Sequence, residues 1–337
     1  MEIQLKSIKE TIQRHDWKRL LLAVSGGLDS ICLAHFFATH KTDLGIEWLG
    51  VAHVHHGLRK GTADRDAEFV ARFIDKLKIP FFIRHLDGAK LKAGCGSLEE
   101  SARNARYEAL HQFAAENHAD AILTAHHAGD QAETLYLRLR RGVSLAGLRG
   151  IQAVREACAG MTTNLTEMKT ACALYRPFLE VTREELAEYA RKNNLQWCED
   201  ESNADTKFAR NQIRHHSLPH LEKAYPGAAS QLCRIATKGS LAYEKIMTVA
   251  DKLFEPLVVS RTDCLILDTK KGKVSLQNGM DEIFRLWLDR QGYRFPVGAF
   301  KGKALLNDLR NLSYRTRFIA KNRNIIRICE KQASTDI

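Results

Sequence analysis

The chain has 337 residues, 45% of them hydrophobic, enough for one large domain or two ordinary ones with a real core. It opens MEIQLKSIKE, with no basic segment leading into a long apolar stretch, and its apolar runs fall far short of a membrane span. The expected setting is therefore cytoplasmic, with no membrane partner. Net charge is +11 and unevenly placed: residues 1–220 hold 30 Lys and Arg against 28 Asp and Glu, whereas residues 221–337 hold 21 against 12. That excess in the last third suits a polyanionic partner, and equally a solvated basic surface. The eight cysteines form no C-x-x-C pattern, which argues against zinc and iron–sulfur sites and for reduced, buried thiols.

Apolar runs alternate with helical patterns through the first half. Residues 20–24 read as a strand and 30–39 as a helix. Residues 48–54 form a second strand. The spacing of Ala67, Val70, Phe73, Ile74 and Leu77 predicts a helix over 63–78. A third strand is expected at 80–84. A long helix follows at 97–117, opening on the capping box Ser97-Leu98-Glu99-Glu100. Residues 121–124 are a fourth strand, followed by a helix over 131–140. This alternation predicts an α/β fold, a doubly wound, mostly parallel sheet with helices on both faces.

Residues 152–172 are mixed and polar and read as an excursion. Order returns at 174–179, and a helix over 182–193 starts at Thr182 with Glu185 three residues on. From about 216 the pattern changes. Residues 220–254 are helical in periodicity, 265–267 a short strand, 281–291 a helix and 325–328 a last strand. A boundary is expected near 215–235, dividing residues 1–220 from a smaller, mainly helical α+β domain at 221–337.

The first strand–helix junction carries Ser25-Gly26-Gly27-Leu28-Asp29-Ser30. A Gly-rich turn between strand and helix presents backbone N–H groups and a helix N-terminus to an anion. Adjacent glycines allow positive φ and close approach of a phosphate. Ser25 and Ser30 add hydroxyls. Asp29 repels phosphate unless a divalent cation lies between. The pattern is neither G-x-x-x-x-G-K-[ST] nor G-x-G-x-x-G. The plain alternative is a turn that only caps a helix. The six residues match the S-G-G-x-D-S signature of the PP-loop ATP pyrophosphatases, a Rossmann-like resemblance that implies cleavage of ATP between its α and β phosphates.

Other clusters sit at strand ends, where open parallel sheets bind ligands. The second strand runs into His53-Val54-His55-His56-Gly57-Leu58-Arg59. Arg103 and Arg106 share a face of the long helix, either solvated or reaching for phosphate. His126-His127-Ala128-Gly129-Asp130-Gln131-Ala132-Glu133-Thr134 follows the fourth strand. Its acids either complement a helix N-terminus or bind a metal or an ammonium group, and its histidines would bind substrate or assist proton transfer. An acidic turn, Trp197 to Asn203, precedes Lys207, Arg210 and Arg214 on one helical face, a charged surface or a phosphate contact.

Taken together, SGGLDS, HHGLR, EESARNARY, HHAGDQAET, RRGVSLAGL, RPFLEV, WCEDESN, RNQIR and LPHL resemble the tRNA(Ile)-lysidine synthetase family over residues 18–221. The resemblance implies a ligase using ATP and Mg²⁺. ATP adenylates C2 of the wobble cytidine (position 34) of a CAU-anticodon tRNA(Ile), and free lysine then attacks C2 to form lysidine, changing codon specificity from AUG to AUA. It makes 1–220 the ATP-binding catalytic domain and 221–337 a tRNA-binding domain. It implies ATP contacts from Ser25, Gly26, Gly27, Leu28, Asp29, Ser30, His53 and His55, with Asp29 near Mg²⁺. It implies lysine or substrate contacts from His126, His127, Asp130 and Glu133, and tRNA or phosphate contacts from Arg103, Lys207 and Arg214. Asp29, Asp130, Arg106 and Arg210 would be catalytic.

Three positions depart from the family pattern: His55 stands where Asn is usual, Gly129 where Asp is frequent, and Val143-Ser144 in a Gly-rich turn. The sequence leaves oligomeric state open, a homodimer included. Two other readings stay open. One keeps the fold and changes the acceptor, to sulfur insertion into tRNA or amidation of a small nucleotide. The other is a nucleotide-binding RNA-interaction protein with a decayed site.

Overall fold

Leu20, Leu21 and Leu22 are all fully buried, and a strand can bury consecutive residues only when both its faces are covered. The computed structural model describes residues 5–55, 57, 62–88, 98–155, 172–198, 209–261, 264–268, 280–291, 316–322 and 325–330. Six strands form its larger sheet: β1 (Arg19–Ala23), β2 (Trp48–His55), β3 (Phe81–His85), β4 (Ala121–Leu123), β5 (Val154–Arg155) and β6 (Ala173–Tyr175). Their order is β3-β2-β1-β4-β6-β5. Every neighbouring pair is parallel except β5 with β6.

Alternation along the strands sorts the core into two layers. Leu20, Leu22, Val51, Ala121 and Leu123 pack with α1 (Leu5–Arg14), α2 (Leu28–Thr39), α3 (Thr62–Leu77) and α6 (Arg183–Lys192), through Ile8, Ile31, Val70 and Leu186 among others. The intervening Leu21, Ala52 and Ile122 face the other way, onto Leu110, Phe113 and Ala114 of α4 (Leu98–Glu116). The chain adds β2 and β3 on one side of β1, then crosses to place β4 on the other. The carboxyl ends of β1 and β4 thus flank a topological switch point, where open α/β sheets bind ligands.

The doubly wound sheet expected from sequence is present, with two shifts that matter for the site. α2 begins at Leu28, so Asp29 and Ser30 lie in its first turn. α5 (Ala128–Arg140) begins three residues before the expected start, and His127 is its N-cap. The periodicity over 220–254 belongs to two helices, α7 (Leu218–Ala224) and α8 (Ala228–Phe254). Tyr225-Pro226-Gly227 separates them, with Gly227 at φ +88°, a conformation that glycine tolerates and that ends a helix. α1, the two-residue β5 and two strands of the second sheet are not among the elements expected from sequence.

The chain packs as two units, Met1–Val143 with Gly147–Thr237, and Ser144–Ala146 with Lys238–Ile337. The division falls within α8. Leu218 and Leu221 of α7 and Leu232 and Ala236 of α8 pack on Ala132 and Leu135 of α5, which holds them to the first unit. In the second unit an antiparallel sheet runs β7-β8-β10-β9, from β7 (Val258–Arg261), β8 (Cys264–Asp268), β9 (Thr316–Asn322) and β10 (Ile325–Glu330). Its core joins Met247, Ala250 and Phe254 of α8 to Phe284, Trp287 and Leu288 of α9 (Met280–Arg290). Among the described residues no helix is long and apolar enough to cross a membrane.

Candidate active site

The β1–α2 junction is built around one hydroxyl. Ser30 Oγ accepts hydrogen bonds from the backbone N–H of Ser25 at 3.2 Å and of Gly26 at 3.1 Å, and donates to the Gly27 carbonyl at 2.9 Å. Ser25 Oγ lies 3.3 Å from it. Ser30 is buried, so its visible work is to hold the loop's curvature. Gly26 adopts φ +99°, and a Cβ there would meet Val70 Cγ2 at 3.1 Å. Gly27 is the N-cap of α2 and offers no side-chain cap, so the helix opens on backbone donors. Cys198, of the WCEDESN motif, donates its backbone N–H to the Gly26 carbonyl at 2.9 Å and backs the loop.

Asp29 projects from this first turn. Its Oδ1 is buried without a hydrogen-bond partner. Burial raises its pKa, although His127 and Arg183 oppose the shift. Among the described residues no group of three or more His, Cys, Asp or Glu could cage a metal ion. Mg²⁺ binds through one or two carboxylates plus substrate phosphates, so a single carboxylate with a spare buried oxygen beside an anion cradle fits that ion.

His53 and His55 alternate along β2 and share a face. The Val24 carbonyl can only accept, so the His53 Nδ1–H donates to it at 2.8 Å and ties β2 to the carboxyl end of β1. Burial lowers the His53 pKa and keeps the ring neutral. His55 Nδ1 accepts from the Gly57 N–H at 3.2 Å. His55 Nε2 lies 3.2 Å from Asp64 Oδ1 without the alignment of a hydrogen bond. His56, Leu58 and Arg59 lie outside the described residues, as does the Ser97 cap.

Across the crevice, the β4–α5 corner is a reciprocal cap. His127 Nδ1 accepts from the Gly129 N–H at 3.0 Å, and Asp130 Oδ2 accepts from the His127 N–H at 3.0 Å. A Cβ on Gly129 would come within 2.6 Å of His127 Cε1, which accounts for glycine there. With Nδ1 accepting, the neutral ring's hydrogen sits on Nε2. That nitrogen is 3.8 Å from Asp29 Oδ2 and 3.7 Å from Asp130 Oδ2. One imidazole edge therefore lies between the loop carboxylate and the helix carboxylate.

The expected acids and arginines meet one another. Arg210 donates to Glu133 Oε2 at 2.7 Å and to Asp130 Oδ1 at 2.8 Å. Arg214 donates to Glu133 Oε1 at 2.6 Å and Oε2 at 3.2 Å, and to Asp130 Oδ1 at 3.3 Å. Glu133 is 2% exposed and has both oxygens engaged. Burial alone would raise the Asp130 pKa, but His127, Arg210 and His126 outweigh it and hold the carboxyl below its usual range. Lys207, the third member of the expected basic stripe, lies outside the described residues.

His126, one residue before the cap, bonds through Nδ1 to Thr124 Oγ1 at 2.9 Å. Burial pushes its pKa down to about 3; Arg176, Arg210 and Arg106 act in the same direction, against Asp130. Arg106 is itself desolvated, and Arg103 and Arg106 both stack over the Tyr107 ring, at 5.3 and 5.5 Å. Arg176 was missed from sequence. It leaves the carboxyl end of β6, is buried, and spends one guanidinium nitrogen on the Gln152 carbonyl at 2.6 Å. Its signal was an Arg-Pro step directly after an apolar strand.

A Gly-rich loop at the switch point of a parallel sheet, with a carboxylate in the first turn of the following helix, defines a PP-loop protein. Residues 1–221 match the PP-loop domain family, and the chain belongs to it. Within that class it is similar to proteins named tRNA(Ile)-lysidine synthase. It is 37% identical over 232 residues to the one from Pseudomonas fluorescens (strain Pf0-1), covering 69% of this chain and 48% of that one. It is 33% identical over 280 residues to the one from Legionella pneumophila (strain Paris), covering 83% of this chain and 59% of that one. The chain spans about half the length of the curated relatives it matches. In fold it is similar to a U34-tRNA thiolase from Methanococcus maripaludis with its 4Fe–4S cluster, at TM-score 0.52 and 17% identity over 69% of this chain and 78% of that chain.

Proposed function

We propose that the protein is an ATP-dependent ligase that joins lysine to C2 of the wobble cytidine (position 34) of a CAU-anticodon tRNA(Ile), through an adenylated cytidine. The observation that carries this reading is the meeting of Asp29, from the phosphate loop, and Asp130, from the β4–α5 corner, on His127 Nε2 at 3.8 and 3.7 Å. A two-step ligase needs its triphosphate and its amine within reach of one reacting carbon. The relatives from Pseudomonas and Legionella bear the name of this activity.

The backbone donors at the start of α2, Gly27–Ser30, hold the β and γ phosphates, and His53 and His55 border the adenosine. Mg²⁺, held by Asp29 and the phosphates, would neutralise the departing pyrophosphate. The cytidine C2 oxygen attacks the α phosphorus and pyrophosphate leaves. The ε-amine of lysine then attacks C2, loses a proton, and AMP leaves. Asp130 positions that amine, competing with the arginines on Oδ1. Glu133 acts by holding Arg210 and Arg214, because neither of its oxygens is spare. Arg106 and Arg210 face the cytidine or its phosphate, with His126 as a neutral neighbour. The cytidine must leave its stack to reach this crevice. Arg103, Lys207 and the basic C-terminal region contact tRNA phosphates.

The test is incubation with ATP, Mg²⁺, radiolabelled lysine and a CAU-anticodon tRNA. Label in the tRNA with one AMP per lysine is the expected result. Incorporation of sulfide or ammonia instead of lysine would assign a different acceptor, and ATP binding without turnover would leave only an RNA-interaction role.

A further inference from the structure

Shortly after Arg210, the chain makes a π-helical turn over Ile213–Ser217 that carries Arg214, the second arginine on Asp130 and Glu133. The Leu218 N–H there reaches the Ile213 carbonyl five residues back. π-turns are rare and concentrate where a functional surface needs its side chains re-aimed. His215 and His216 of this turn, His220 and Lys223 of α7, Tyr136 of α5 and Tyr225 line a groove of about 760 Å³. Tyr136 lies one helical turn beyond Glu133, and His215 directly follows Arg214, so two of the groove's residues are chain neighbours of the acid–arginine cluster.

The groove is chemically one-sided. Its walls carry three imidazoles, an ammonium and two phenol rings, and no carboxylate among the described residues. The acid of α7, Glu222, is committed elsewhere, accepting from the backbone N–H of Gly227 at 2.5 Å and of Ala229 at 3.0 Å. Tyr225 is 69% exposed, its ring presented to solvent. It follows the last turn of α7, with its own N–H bonded to the Leu221 carbonyl at 2.8 Å, so the ring is carried on a fixed backbone. Nitrogen donors around an exposed aromatic face suit a single-stranded nucleic acid, whose phosphates take the donors and whose unstacked bases take the ring. Within a duplex the base faces are stacked on one another, and only the two end pairs present one.

We infer that this groove binds the single-stranded nucleotides flanking the reacting base of the RNA substrate, with Tyr225 as the stacking platform and His216, His220 and Lys223 as phosphate donors. The inference rests on the ligase reading. It adds the path by which the anticodon loop leaves the crevice.

The test uses the full chain and two variants, Tyr225→Ala and the double variant His220→Ala/Lys223→Ala, all at exposed positions. Fluorescence anisotropy measures affinity for a CAU anticodon stem–loop RNA and for a blunt duplex of the same stem, alongside binding of a fluorescent ATP analogue. Each variant should bind the stem–loop about tenfold more weakly, with duplex and nucleotide affinities unchanged. Unchanged nucleotide affinity also reports an intact fold. Stem–loop affinities within twofold of the parent in both variants, with the parent binding well, overturn the groove alone. A parent that ignores the stem–loop overturns the ligase reading and this inference with it. Poly-glutamate binding that the variants lose, with RNA binding intact, would give the groove to an acidic protein partner and overturn the proposal.

Discussion

Gly26 holds φ +99° with Val70 Cγ2 3.1 Å from where a Cβ would stand. Gly26→Ala should therefore cost about 1–3 kcal/mol in urea unfolding and weaken nucleotide binding. Parental stability and affinity would show the turn to be dispensable. Asp29→Ala should abolish AMP release, read by chromatography of the nucleotides, together with the pyrophosphate release that precedes it. Asp130→Ala should leave adenylation more intact than lysine transfer, and equal loss of both steps would remove Asp130 from the amine. Glu133→Gln should lower kcat while leaving the KM for lysine nearly unchanged, since Glu133 works through two arginines; a rise in that KM alone would mean direct amine contact. His126 gives a pH signature. With its pKa lowered to about 3 by burial, against a reference of 6.5, the ring gains its proton on unfolding across that window. The parent should thus lose stability as pH falls from about 6.5 toward 3, and His126→Gln should lose less; parallel slopes would contradict this. The loop and the His126–Glu133 run could be read from sequence because their members are neighbours in the chain. The pairing of Glu133 with Arg210 and Arg214 could not, because it joins residues about 80 positions apart.

Helix starts carry much of the site's geometry. Asp29 and Asp130 are placed by the first turns of α2 and α5, and the latter is fixed by the His127–Asp130 reciprocal cap. Both helices begin two or three residues before the starts expected from sequence. Histidine is not among the usual N-caps, and a loop that donates backbone N–H groups need carry no capping side chain. Thr182 is an ordinary cap and legible in the sequence: its Oγ1 accepts from the Glu185 N–H at 3.2 Å, and Glu185 Oε2 accepts from the Thr182 N–H at 2.7 Å. Thr182→Ala should destabilise the chain by about 1 kcal/mol in urea unfolding. No loss would mean that α6 is held by packing of Leu186 and Ala190 alone. The break at Tyr225-Pro226-Gly227 was concealed by apolar spacing that continues in phase across it, although Pro-Gly is a strong turn signal.

Across the whole chain, β–α alternation was enough to anticipate the sheet, because each strand of a parallel sheet must be buried on both faces and each crossover helix must cover one of them. The second unit was less readable. Its strands pair antiparallel and lack the strand–helix alternation that marks the parallel sheet. Its charge is the better guide. Replacing Lys270, Lys271 and Lys273, which lie outside the described residues, with alanine should weaken tRNA binding and flatten the dependence of log K on log salt. An unchanged slope would show that these charges do not meet RNA. The proposed chemistry depends most on where the nucleotide binds. A crystal structure with a non-hydrolysable ATP analogue should find the β and γ phosphates against the backbone amides of Gly27–Ser30, with the α phosphate turned toward the β4–α5 corner. A triphosphate bound elsewhere, with that loop unused, would contradict it.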